Sequence, residues 1–172
     1  MIRILRSINV RLAEAGRSDT DLLDYARKFP GFGDFDPLRG IPADLFNALA
    51  SATASASVVR DRFSVDGWSA LNELSASANK SLASVAPGDA SARALGMLLR
   101  QITGFSGLVH DNMYRFAGWR FLSIGRSLER ANAMAQLLAW FAAPGTPEGA
   151  LDLVVEVGDS VMSHRRLYAV AT

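Results

Sequence analysis

Trp119-Arg-Phe-Leu-Ser-Ile-Gly-Arg-Ser-Leu-Glu-Arg-Ala131 is the stretch on which the reading of this chain turns. Turned at roughly 100° per residue, it continues to Phe141 as one helix with two apolar stripes. Phe121, Ile124, Leu128, Ala131, Ala135 and Leu138 form the first; Trp119, Leu122, Ala133, Leu137 and Trp140 form the second, beside it. Strands alternate with a period of two, and no such alternation runs through this segment. A helix apolar around most of its circumference belongs in the middle of its domain. The expectation is therefore an all-α fold, a bundle of about six mostly antiparallel helices, with this helix central.

Two charges interrupt the second stripe, Arg126 and Glu129, and Arg130 lies beside them. In a central helix they are at least partly buried, and a buried ion needs a partner, because desolvation costs several kcal/mol per ion. Arg126 and Glu129 stand three apart, a spacing at which helical side chains meet. Three readings remain open. The charges form a satisfied structural network with Asp61 or Asp111; or Arg126 and Arg130 line a pocket for an anion and Glu129 positions them; or all three sit on a solvated face.

Working outward, Ile2 to Ala15 places Ile4, Leu5, Ile8 and Leu12 at helical spacing and stops at Gly16. A short helix capped by Ser18 or Asp19 carries Leu22, Leu23 and Tyr25. Lys28 to Pro42 is dense in Pro and Gly and reads as a loop, with Phe29, Phe32 and Phe35 anchoring it. Ala43 to Phe63 reads as one long helix whose small residues suit close approach of a neighbour. Ser64 caps the next helix, Val65 to about Ala83. Pro87-Gly88-Asp89 is a turn and cap, and a helix follows from Ser91 to about Tyr114. Phe116-Ala117-Gly118 makes a corner before Trp119. Pro144-Gly145 ends that helix, and Thr146-Pro147-Glu148 starts a last one. Leu151 to Val157 is rich enough in β-branched residues for a strand, but the start signal before it and Met162 and Leu167 beyond favour helix.

A chain of 172 residues fits a single domain, residues 1–172, with one core. With 49% hydrophobic and 20% charged residues it has the means to fold. It contains no cysteine, which removes disulfides and thiolate metal sites and suits a reducing, cytoplasmic setting. A net charge of +1 without a Lys/Arg run gives no reason to expect nucleic acid as a partner. No secretory h-region follows Met1. The most apolar run, Ala131 to Ala143, is too short for the roughly 20 residues a membrane span takes.

Helical bundles often hold metals, and di-iron sites use Glu-x-x-His pairs. Neither His110 nor His164 stands three residues after a Glu, so no metal site and no cofactor is expected. His110-Asp111-Asn112 reads as a polar cluster at a helix end. Gly31-Phe-Gly33 and Gly104-Phe-Ser-Gly107 lack the strand–loop–helix setting and the lysine of phosphate loops. Trp68, Trp119 and Trp140 read as core.

Several separated motifs resemble one family. Trp119-Arg120-Phe121-Leu122, Gly125-Arg126 and Leu128-Glu129-Arg130-Ala131 resemble the Glu-Arg signature of the bacterial alpha-E domain family, a helical family named for that motif. Met113-Tyr114-Arg115 before Gly118-Trp119 fits the same pattern. So does Arg60-Asp61-Arg62-Phe63-Ser64 with Trp68 and Leu71-Asn72. Asp159-Ser160, His164-Arg165-Arg166 and Tyr168 resemble its Asp-Ser…Tyr-Arg…Tyr stretch. The resemblance spans about residues 50–168. The family's domain is longer and carries an earlier Gly-Arg…Glu-Arg-Ala copy; here none precedes Arg60, and Thr172 closely follows the last match. A partial or short member is expected. Gly67 stands where the family tends to an apolar residue.

Alpha-E domains occur beside ATP-grasp-type ligases and transglutaminase-like proteins. The resemblance therefore implies an accessory domain for amide-bond formation, peptide synthesis or peptide tagging, which binds substrate or docks the ligase. The expected ligand-binding residues are Arg126, Glu129 and Arg130, with Arg115, Trp119, Asp61 and Arg60 around them. Two other classes stay open. One is a structural interaction scaffold. The other is an enzyme using Glu129 as acid or base, against which the adjacent arginines weigh because they favour the ionised carboxylate. A shortened bundle with exposed apolar faces can also dimerise to cover them.

Overall fold

The computed structural model describes residues 1–14, 20–82 and 84–168. Among them are eight α-helices: α1 (Ile2–Glu14), α2 (Thr20–Ala26), α3 (Ala43–Val58), α4 (Val65–Leu82), α5 (Asp89–Asn112), α6 (Ala117–Phe141), α7 (Ala150–Val157) and α8 (Val161–Tyr168). Short 3₁₀ turns at Pro30–Phe32 and Arg60–Arg62 are the other regular elements, and no strand occurs among the described residues. The all-α expectation stands, with more helices than six. The expected stop at Gly16, the cap at Ser18 or Asp19 and the end of a helix at Ala83 lie outside the described residues.

The helices pack in succession: α3 on α4, α4 on α5, α5 on α1, α1 on α7, and α7 on α6. The middle of this row is α1 and α5. Ile4, Leu5 and Ile8 of α1 and Leu95 of α5 are fully buried there. Helix α1 thus occupies the place the sequence reserved for α6. One polar residue shares that core. Asn9 is 0% exposed; its Nδ2 donates to Leu5 O at 2.8 Å, and its Oδ1 accepts from Gly88 N–H at 2.8 Å. Burying an amide is tolerable because both ends are satisfied. The second bond ties the turn before α5 to α1. Gly88, at φ +92°, adopts a conformation that a side chain would strain.

Local signals explain most boundaries. Gly67 N–H donates to Ser64 Oγ at 3.0 Å, the expected cap of α4. A Cβ on Gly67 would stand 3.1 Å from that hydroxyl, which accounts for a glycine inside the first turn. The loop aromatics Phe29 and Phe32 are buried and Phe35 partly so, as their role as anchors requires.

Four boundaries differ from expectation. Helix α3 ends at Val58, and Arg60–Arg62 tightens into a 3₁₀ turn rather than continuing to Phe63. The corner after α5 falls at Met113–Phe116, so α6 already begins at Ala117. The last helix is two: Gly158 and a left-handed Asp159, at φ +58°, separate α7 from α8. Helix α7 itself starts after Gly149, at φ +79°, rather than at Pro147. No helix among the described residues is long and apolar enough to cross a membrane.

Candidate functional site

Helix α6 is held at its two ends and stands free between them. At the C-terminal end Leu137 and Phe141 are buried. The Phe141 ring lies 5.7 Å from both Tyr25 and Phe29, and Tyr25 Oη donates to Trp140 O at 2.7 Å. At the N-terminal end Trp119 and Leu122 are half-buried. From residue 124 to residue 132 every residue is exposed.

The N-terminal anchorage borders a cleft. The 3₁₀ turn after α3 presents Val59, Asp61, Arg62 and Phe63; the corner before α6 presents Met113, Tyr114 and Phe116; Trp119 and Leu122 complete the wall. The enclosed volume is about 600 Å³, within the roughly 300–1,000 Å³ of small-ligand clefts. The lining is largely apolar and aromatic. Tyr114 and Phe116 meet edge to face at 4.4 Å and are themselves exposed. Asp61 and Arg62, paired at 3.1 Å and both exposed, supply its charge. Such a cleft suits an apolar side chain carried on a polar backbone.

The expected site residues divide. Asp61 and Trp119 line the cleft. Arg115 lies over the Trp119 ring at 5.4 Å, a cation–π arrangement. Arg60 turns the other way: its guanidinium covers Trp68 at 5.0 Å and donates to Phe63 O at 3.3 Å. Arg126 and Arg130 lie about 10 and 16 Å further along the α6 axis than Trp119, at 1.5 Å per residue, and neither is part of the cleft.

Of the three readings left open, the solvated face is the one that fits the exposures, and the structural network with Asp61 or Asp111 is not seen among the described residues. Arg126, Glu129 and Arg130 are exposed, and among the described residues no ion pair joins any of them to another group. Asp61 pairs with its neighbour Arg62, and Asp111 with His110 at 3.1 Å. The physical reason is placement. Trp119, Arg126, Arg130, Leu137 and Phe141 follow each other at spacings of seven and four, so they share one side of α6. That side carries the two anchored ends, yet its middle, from residue 124 to residue 132, is exposed among the described residues. The opposite stripe is largely uncovered among the described residues: Phe121 is 75% exposed, Ile124 55%, Leu128 64% and Leu138 46%. Both stripes are present on α6, and among the described residues the second is the one whose ends are covered.

Sequence reasoning passed over Arg62 and Phe116, which help to wall the cleft. Nothing in local periodicity marks a cleft between corners about fifty residues apart in the chain. The aromatic pair flanking a helix break, Tyr114 and Phe116, was the available signal.

A family model, Alpha-E, described as a predicted alpha-helical domain with a conserved ER motif, matches residues 39–172. The match takes in α3 to α8 and leaves α1 and α2 outside it. The chain has a single Glu-Arg dipeptide, Glu129-Arg130, in the free section of α6. No curated protein and no solved structure matches the chain.

Proposed function

We propose, from the premise that the chain belongs to the Alpha-E family, that it is an accessory domain working with an ATP-grasp-type ligase in amide-bond formation or peptide tagging. In this reading it acts in the cytoplasm, docks the ligase through the free section of α6, and holds part of the peptide in the cleft at the α6 N-terminus. A transglutaminase-like protein is a further candidate partner.

One observation carries the reading. The motif that describes the family falls where the fold makes no use of it: Glu129 and Arg130 are exposed, make no ion pair among the described residues, and are flanked by exposed apolar residues. Charges that stabilise a fold are paired or buried within it. Charges beside an uncovered apolar stripe are the composition of a surface that meets another molecule. Catalysis at Glu129 has less support, because that carboxylate lies outside the cleft.

The test is direct binding between the purified chain and the ATP-grasp-type ligase of the same genome, with the ligase's peptide product followed in parallel. Binding that Arg126→Ala and Arg130→Ala each weaken at least tenfold supports the proposal. A wild-type chain that neither binds the ligase nor alters its product ends it. The stripe of Phe121, Ile124 and Leu128 also suits a structural scaffold assembled from copies of the chain. A concentration-dependent dimer mass, abolished by Leu128→Asp, would select that reading instead.

A further inference from the structure

Away from α6, a second cavity of about 410 Å³ lies where α1, α5 and the α7–α8 junction meet. Its charges do not balance. Glu156 accepts from Arg11 at 2.8 Å and from Ser7 Oγ at 2.9 Å. Asp159 pairs with Arg3 at 3.3 Å. Both acids in the lining are thus already compensated. Arg6 and Arg100 remain, and neither makes an ion pair among the described residues.

These two arginines converge. Arg6 comes from α1 and Arg100 from α5, and both lie over Gly96. Arg6 Nε is 3.4 Å, and Arg100 Nη1 3.8 Å, from the point a Cβ on that glycine would occupy. Glycine in the middle of a helix weakens it relative to alanine; here its missing side chain is the space in which the two guanidiniums approach. Like charges brought together repel, and an anion between them reverses the sign of the interaction. Guanidinium forks match the oxygens of a phosphate in geometry as well as charge. The cavity beyond them, running past Leu99 and Thr103 to Val161, has room for what the phosphate is attached to. Arg93, one turn before Gly96 on α5, is different: it is held by Asp89.

We propose that Arg6 and Arg100, converging over Gly96, form a binding site for a phosphate group, and that the adjoining cavity takes the small molecule that bears it. The site draws on α1, which lies outside the family match, and is independent of the ligase reading.

The experiment is calorimetric titration of the full chain with inorganic phosphate, and with acetate as a singly charged comparison, at constant ionic strength. Arg6→Ala, Arg100→Ala and Arg93→Ala are titrated alongside. All three side chains are exposed, so the variants fold; circular dichroism checks this. The expected result is saturable phosphate binding near one site per chain, at least tenfold tighter than acetate. Either Arg6→Ala or Arg100→Ala should weaken it tenfold or more, and Arg93→Ala less than twofold. No saturation at roughly ten times the 1 mM of a weak site overturns the proposal. Equal affinity for acetate overturns it too, as does a loss in Arg93→Ala that matches the other two.

Discussion

Helix α6 carries two phenylalanines, Phe121 and Phe141, at which the same substitution should have very different costs. Phe141 is 0% exposed and packs on Tyr25 and Phe29. Replacing it with alanine removes a fully buried ring and leaves a cavity, a change that costs about 3–5 kcal/mol. At about 2–4 °C per kcal/mol for a chain of this size, the melting temperature should fall by about 6–20 °C. Phe121 is 75% exposed. Full burial of such a side chain is worth about 1.5–3 kcal/mol, so its remaining quarter contributes about 0.5 kcal/mol. Alanine recovers about as much, because it is the better helix former by roughly 0.5 kcal/mol. Phe121→Ala should therefore leave stability within about 0.5 kcal/mol of the parent. The assay is urea and thermal unfolding followed by circular dichroism, at low and high protein concentration. A Phe121→Ala loss of about 3 kcal/mol at low concentration, equal to a core phenylalanine, would mean that the outer stripe is covered within the free chain. The account of α6 as a partly detached helix would then be wrong. A loss seen only at high concentration would place a second copy on the stripe.

Four further outcomes follow from named contacts. Asn9→Ala removes two buried hydrogen bonds and strands the Gly88 N–H; unfolding should show a cost of about 2–4 kcal/mol, since an orphaned buried donor alone costs about 1–3. Tyr25→Phe deletes only the 2.7 Å bond to Trp140 O, and the same measurement should show about 1 kcal/mol. Glu156→Ala frees Arg11 and Ser7 and loosens α7 from α1; because the carboxylate is part-exposed, the cost should be near the low end for charged hydrogen bonds, about 1 kcal/mol, and should shrink as salt is added to the unfolding buffer. Arg130→Glu should leave the unfolding curve unchanged within about 0.5 kcal/mol and, on the proposed docking, should abolish ligase binding. Parent binding should weaken as salt rises, which titrations at several ionic strengths would check.

How much of this the sequence discloses depends on whether a signal is local. The Ser64 cap, the buried Phe29 and Phe32 of the loop, the start of α4 and most of α5 are legible because hydroxyl capping, aromatic burial and helical period act within a few residues. The break at Gly158-Asp159 has a local signal, a glycine followed by a residue tolerant of left-handed backbone, but the strong period on either side hides it and the segment reads as one helix. Asn9 carries a signal of another sort: it stands one turn after Leu5 on the face that Ile4, Leu5 and Ile8 bury, and a polar residue on a core face needs partners inside the fold. Its partner, Gly88, lies 79 residues away and no spacing rule points there. The position of α6 is illegible for a deeper reason. Periodicity reports that both its sides are suited to burial; it does not report whether the chain contains the atoms that bury them.

That distinction separates two ways of reading the Glu-Arg pair. Had α6 been central, Arg126, Glu129 and Arg130 would have had to neutralise one another in a dry interior, and their pattern would describe a fold. In the open they satisfy water at no structural cost, so the fold places no demand on which charges stand there. On the proposed docking, covering Phe121, Ile124 and Leu128 would supply the driving force for association, at about 25 cal/mol per Å² of apolar surface removed from water. That term is indifferent to what does the covering. The charges are not indifferent. Any molecule that wraps the free section of α6 strips water from at least one guanidinium or carboxylate, and must return an opposite charge to each ion it buries. On the proposed docking, the apolar stripe would set how strongly α6 is held, and Arg126, Glu129 and Arg130 would set which surface is accepted: one that presents acids to the two arginines and a base to Glu129.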